Sequence, residues 1–165
     1  RRLILRAPAD SDEQNYRALL LAPEVSRWLR PAPLPALADP DPALWLARDI
    51  AHWHRHGFGT WTLSDRQSAA FIGRAGLAYT TLEKKTVIEV AWALMPSRWG
   101  SGLASEAAGE ALRWAAELGL SEVVSFTTPT NIASRRVMEK AGLQFCGEIQ
   151  RAGIAHVLFR LTRTP

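Results

Sequence analysis

Apolar and polar positions lay out most of the elements. Residues 2–6 (Arg2, Leu3, Ile4, Leu5, Arg6) read as a short first strand. Asp10, Ser11, Asp12 and Glu13 supply capping side chains and negative charge for a helix start, and that helix runs to about Leu21. Residues 30–42 hold Pro31, Pro33, Pro35, Pro40 and Pro42, a density that excludes helix and central strand. They predict an ordered surface loop between two helices. Asp41 and Pro42 open the second helix, Leu46, Ile50 and Trp53 make its buried stripe, and Gly57 ends it. Residues 58–63 and 70–79 read as strands joined by a turn at Asp65, Arg66 and Gln67. Residues 87–94 form a third, apolar on both faces except for Glu89, as a central strand should be.

Beyond Pro96, a glycine-rich turn feeds a long amphipathic helix. Leu103, Ala107, Ala111, Trp114 and Leu118 share one face; Glu106, Glu110, Arg113 and Glu117 share another; Gly119 closes it. A strand over 122–127, a helix over 131–141 closed by Gly142, and strands over 143–149 and 154–161 complete the pattern, the last two joined through Ala152 and Gly153. A strand meander followed by strand–helix units predicts a mixed α/β layout around one sheet, and 165 residues suit one domain spanning 1–165.

Composition narrows the function classes. With 47% hydrophobic and 22% charged residues, whole-chain disorder, collagen and coiled coil are excluded. The one cysteine, Cys146, forms no intrachain disulfide, excludes a thiolate-rich zinc site and fits a reducing, cytoplasmic compartment. Its place in a strand predicts a buried structural thiol. Twenty Lys and Arg against sixteen Asp and Glu give a net charge of +4, which favours anionic ligands. The basic residues are scattered, so no nucleic-acid face is expected, and no apolar run reaches membrane-span length. The opening residues lack the pattern of a signal peptide, and Arg1 in place of methionine predicts a trimmed start. His52, His54 and His56 lack acidic or cysteine partners, so they predict a helix flank and no metal site.

The stretch Arg98 to Ser105 is the first with recognisable chemistry. Glycines let the backbone approach a ligand, and the first N–H groups of the following helix have no internal partner and sit at the positive dipole end. The alternative is a tight turn that needs two glycines. A P-loop is excluded because no Gly-Lys-Ser/Thr follows. A dinucleotide fingerprint is disfavoured by Ser105 at its last small position, and by Glu122 opening the next strand where an acid should end it.

The segment Trp99-Gly100-Ser101-Gly102-Leu103-Ala104-Ser105-Glu106-Ala107 resembles the acyl-CoA pyrophosphate loop of the GNAT N-acetyltransferase superfamily. Asn131, Ser134, Val137, Gly142 and Leu143 are spaced like a helix motif of its RimJ/RimL-type branch. Gly57 to Trp61 with Ile72 to Leu77 resembles that branch's paired strands. Two positions depart from the pattern: Trp99 stands where the superfamily usually has Gln or Arg, and Leu143 where an aromatic is usual. The resemblance implies a twisted mixed sheet of about seven strands, helices on both faces, and parallel strands 87–94 and 122–127 that splay apart. It implies acetyl-CoA as co-substrate. Pantetheine would lie along Ala93, Leu94 and Met95, and pyrophosphate on Trp99, Gly100, Ser101, Gly102, Leu103, Ala104 and Ser105. Asn131 would bond the pantetheine, with Ser134 near the sulfur.

The implied activity is direct transfer of acetyl to a primary amine, either a protein N-terminal α-amine or a small molecule. Such a reaction needs a base for the amine, donors for the oxyanion and a proton for the thiolate. A backbone N–H at Leu94 or Met95 is the oxyanion candidate. The tyrosine acid of many relatives corresponds to Met138 here, leaving Ser134 as the candidate acid and water as its competitor. Glu89, alone in an apolar strand, is the candidate base; the alternative is a carboxylate paired with an arginine such as Arg74. Glu148 and His156 are further candidates for the base, and Trp28, Arg30 and His156 are candidate acceptor contacts. A catalytically silent acyl-CoA sensor is the alternative function, and either monomer or homodimer is open.

Overall fold

The computed structural model describes residues 1–29 and 41–162. The loop expected over 30–42, apart from its last two residues, and the acceptor contact expected of Arg30 lie outside the described residues.

The strands are β1 (Leu3–Arg6), β2 (Thr60–Asp65), β3 (Phe71–Leu82), β4 (Lys85–Leu94), β5 (Glu122–Thr127), β6 (Gln144–Arg151) and β7 (Ile154–Thr162). They form one sheet in the order β1-β2-β3-β4-β5-β7-β6. Every neighbouring pair is antiparallel except β4 and β5, which are parallel. β4 is central, as its near-continuous apolar run requires. The helices are α1 (Glu13–Leu20), α2 (Pro23–Leu29), α3 (Pro42–His56), α4 (Leu103–Glu117) and α5 (Ile132–Lys140).

Helices cover both faces. On one, Leu63, Leu77, Val90 and Leu94 pack with Ala107 and Ala111 of α4 and Met138 of α5. On the other, Ala93 packs with Leu19 of α1 and Val25 of α2. Alternate residues of β4 supply the two faces, so side chains at 89, 91 and 93 point towards α1 and α2.

A buried ion pair ties the first helices to the sheet. Arg74 of β3 grips Asp49 of α3 through Nε (3.0 Å) and Nη2 (2.6 and 2.8 Å), and the Tyr16 hydroxyl of α1 donates to the same carboxylate at 2.7 Å. Burial and the neighbouring carboxylate push the Tyr16 hydroxyl well above the ordinary phenol range, while the net field of Arg74 opposes them. Arg74 is thereby committed to Asp49 and not to Glu89. His52 has a similar bracing role. Its Nδ1 lies 2.8 Å from the Phe58 carbonyl and its Nε2 accepts the Tyr79 N–H at 3.0 Å, which fixes the proton on Nδ1.

Three expectations need correction. α2 was not anticipated: its seven residues bury one apolar side chain fully, Val25, too little for a periodic signal. Leu118 is exposed, because α4 ends at Glu117 and the buried face is carried instead by Ala108, Leu112 and Ala115. Cys146 is exposed, because β6 is an edge strand whose register slips between Phe145 and Gly147. Trp53, Trp61 and Trp114 stack against one another, with ring centroids 4.8 and 5.3 Å apart, while Trp99 is exposed.

Candidate active site between two diverging strands

β4 and β5 share a single paired position, Glu89 with Val124. Past it, each strand stays bound only on its outer side, β4 to β3 as far as Leu94 and β5 to β7 as far as Thr127. Gly73 contributes to this divergence. A Cβ there would meet the Ala93 carbonyl at 2.3 Å, so only glycine lets the end of β4 lie so tightly against β3.

Backbone parity decides what faces the gap. The Met95 N–H donates to the Ile72 carbonyl of β3 at 2.8 Å. Antiparallel ladders alternate, so Ala93 also points its polar groups to β3, while Trp92 and Leu94 turn theirs towards β5. Leu94 O is taken by the Trp99 indole N–H at 2.8 Å. The Leu94 N–H remains as the candidate oxyanion donor, and Met95 is corrected on two counts: its N–H is occupied, and it does not line the cleft.

A cleft of about 370 Å³ runs from this gap to the start of α4. Its anion-facing wall is backbone. Gly100 and Gly102 have φ of +73° and +79°, conformations that favour glycine, although each has room for a Cβ. Gly102 caps α4 without a side chain, leaving the N–H groups of Leu103, Ala104 and Ser105 without helical partners. Trp99, Gly100, Gly102, Leu103, Ala104 and Ser105 all line the cleft, but Ser101 does not. Ser101 braces the loop instead: its hydroxyl donates to the Arg98 carbonyl at 2.6 Å, and its carbonyl accepts from Arg2 at 2.8 Å. Arg2 also holds Glu106 of α4. Burial would raise that carboxyl, yet its bonds to Arg2 and Leu3 draw it below the usual range.

α5 closes the cleft. Asn131 caps it, with Oδ1 accepting the Ser134 N–H at 3.2 Å and Nδ2 donating to Thr127 Oγ1 at 3.1 Å. Asn131 and Ser134 both line the cleft, and the cap engages the Ser134 backbone N–H and not its hydroxyl. Met138 points away, buried in the main core, so no proton donor stands there. Arg136 and Lys140, one helical turn apart, add two cations to the cleft, neither with an ion-pair partner among the described residues; Arg98 lines it too but is paired with Asp65 at 3.6 Å. Sequence reasoning missed Arg136, Lys140 and Trp92. For the two α5 residues the signal was present, since Ala133, Arg136, Val137 and Lys140 recur at helical spacing; Trp92, on β4, had none.

Glu89 stands where the strands part. Burial pushes its carboxyl up to about 7, against the weaker opposing fields of Arg151 and Arg74. No ion pair reaches it among the described residues. A second cleft of about 340 Å³ adjoins the first, lined by Arg27, Trp28, Thr128, Pro129, Thr130, Ile154 and Ala155. Trp28 lines both clefts. His156 lines neither; its Nδ1 lies 3.0 Å from the Ile154 carbonyl and its ring meets Phe126 edge-on at 5.9 Å. Glu148 is exposed on edge strand β6. Among the described residues no group of three or more His, Cys, Asp or Glu is placed to hold a metal ion.

Parallel strands that part beside an uncapped glycine-led helix define the fold and cleft of an acyltransferase of the GNAT type. Residues 2–144 match the acetyltransferase (GNAT) domain family, and the chain belongs to it. An acetyltransferase of Agrobacterium tumefaciens has the same fold, with TM-score 0.80 and 28% identity over 98% of this chain and 91% of that one. The uncharacterized protein YkkB of Bacillus subtilis is 28% identical over 110 residues, 63% of this chain and 64% of that protein. The FsC-acetyl coenzyme A-N(2)-transacetylase of Aspergillus fumigatus is 40% identical over 94 residues, 53% of this chain but 39% of that protein. The chain thus spans less than two thirds of the length of both curated relatives. No helix among the described residues is long and apolar enough to cross a membrane.

Proposed function

We propose that the protein is an acetyl-CoA-dependent N-acetyltransferase that moves an acetyl group directly to a primary amine, in the manner of the RimJ/RimL-type branch. The observation that carries this reading is the single bridge between β4 and β5 at Glu89, which leaves the Leu94 N–H free beside an uncapped helix start. The residues present suit the co-substrate. The N–H groups of Leu103, Ala104 and Ser105 would hold the pyrophosphate, with Arg98, Arg136 and Lys140 supplying countercharge. When bound, acetyl-CoA supplies the activated acetyl group and a thiolate leaving group.

The chain's own residues then divide the remaining work. Glu89, with its carboxyl near neutrality, takes a proton from the acceptor ammonium. The Leu94 N–H stabilises negative charge that develops on the carbonyl oxygen. As the C–N bond forms and the C–S bond breaks, the Ser134 hydroxyl would pass to the departing sulfur the proton that the attacking nitrogen sheds. Support for the branch comes from the loop and helix motifs; support for a cytoplasmic setting comes from a lone exposed thiol.

The test is release of free thiol from acetyl-CoA across N-terminal peptides, polyamines, amino acids and aminoglycosides. The expected result is release with one acceptor class, matched by an equal amount of N-acetylated product. Tight acetyl-CoA binding with no release for any amine would overturn the enzyme reading in favour of an acyl-CoA sensor.

A further inference from the structure

Buried polar atoms in folded proteins are nearly always hydrogen-bonded, so those without partners ask for an explanation. Among the described residues there are three: Thr128 Oγ1, Arg135 Nε and Arg151 Nη1. One of them lines the second cleft, and the other two are each joined to residues that line it or adjoin one that does. Thr128 lines the second cleft, and Arg135 donates from Nη1 to the carbonyl of Pro129, which lines it too, at 3.1 Å. Arg151 is paired across the β6–β7 hairpin with Ile154, another lining residue. Its guanidinium lies over the Phe126 ring, 3.7 Å from the centroid, two residues before Thr128.

The charge at this corner is one-sided. Arg27 borders the cleft from α2, resting 4.9 Å over the Trp28 ring and unpaired with any described carboxylate. Arg151 likewise has no carboxylate within pairing distance; Glu89 reaches it only through its field. The Arg27 guanidinium and the unpartnered Thr128 hydroxyl thus line a small cleft, and the Arg151 guanidinium lies behind it, beside the lining residue Ile154 and within the electrostatic reach of Glu89, which itself lines neither cleft. A guanidinium edge matches a planar carboxylate with two parallel hydrogen bonds, and shielding from water strengthens that pairing.

We propose that this corner recognises the acceptor, and that the acceptor is a small amine carrying a carboxylate, which Arg151 and the Thr128 hydroxyl bind while Glu89 faces the amine. The inference rests on the N-acetyltransferase reading and adds a substrate class to it. Arg151 is a specificity residue here and takes no part in proton transfer.

The test uses the full chain saturated with acetyl-CoA and acceptors paired by shape: β-alanine with propylamine, glycine with glycinamide, and a peptide beginning with Glu with one beginning with Gln. The small carboxylated amines should be favoured about tenfold or more in kcat/KM, mostly through KM. Arg151→Gln should bring that ratio near one while leaving acetyl-CoA affinity unchanged, and Arg151→Lys should restore part of it. Thr128→Val should lower it less. Equal use of neutral partners, preference for the acidic peptide alone, or a preference that survives Arg151→Gln would each overturn the proposal. If no amine is acetylated, the enzyme reading fails separately. The corner is then judged by calorimetric binding of glutarate to the CoA-saturated protein: saturable binding lost in Arg151→Gln supports it, and no binding overturns it.

Discussion

The two sides of the gap between β4 and β5 are made of different material. On the side leading to α4, the contacts are backbone: the Leu94 N–H, two glycines with positive φ, and three uncapped helix N–H groups. On the side leading to β7 and β6, the polar groups are side chains: Arg27 and Thr128 line the second cleft, with Glu89 and Arg151 behind it. Backbone recognition depends on a conformation that many sequences can adopt, so it suits a ligand that a family holds in common. Side-chain recognition changes with every substitution, so it serves the ligand that distinguishes them.

If that division holds, the largest loss in rate comes from a side chain that leaves cofactor affinity alone. Glu89→Gln should lower kcat by roughly 10²–10⁴-fold, the range of a lost general base, with acetyl-CoA affinity unchanged by calorimetry. The pH profile sharpens this. The base works ionised, so the wild-type rate should climb as pH rises through about 7, and the variant should lose that limb. Stability should move oppositely. The carboxyl titrates higher folded than unfolded, so stability falls as pH rises from about 4.3 through 7. Removing the charge should therefore raise stability at pH 8, by an amount that disappears below about pH 4, read from denaturant unfolding.

The next effect tests the backbone side. Gly102→Val forces a β-branched residue to φ of +79° and should weaken acetyl-CoA binding by roughly 30-fold, a cost of ~2 kcal/mol. Unaltered affinity would break the comparison, because it would mean that the loop's conformation is not what binds. A smaller effect belongs to the cations that supplement the backbone. Arg136→Gln with Lys140→Gln should weaken acetyl-CoA by about tenfold at low salt and by less as salt rises. Ser134→Ala should cost least, less than about tenfold in kcat, because water competes as proton donor.

How far the site was legible from the chain follows the same division. The glycine turn, α4, β5 and the Asn131 cap are local devices, and their residues are contiguous. Glu89 was legible because a single acid in an apolar central strand is conspicuous. The corner formed by Arg27, Thr128 and Arg151 was not. It depends on the β6–β7 register and on the short helix α2, and neither leaves a periodic trace. Met95 was misplaced for a related reason. Spacing names the end of β4, but only the bond to Ile72 fixes which alternate residues face the gap. Trp28 was placed by its neighbours Arg27 and Arg30, and it lies where the two clefts meet.

The central claim is that the parted strands present an activated acetyl group to an amine beside Glu89. One measurement reaches it directly: acetyl-CoA labelled in its acetyl group is mixed with the acceptor panel, and N-acetyl product and free CoA are quantified together across pH 5 to 9. The account predicts equal amounts of both, with a rate that rises through about pH 7 in the wild type and loses that rise in Glu89→Gln. Thiol release without N-acetylated product, or a pH profile identical in the two proteins, would contradict it.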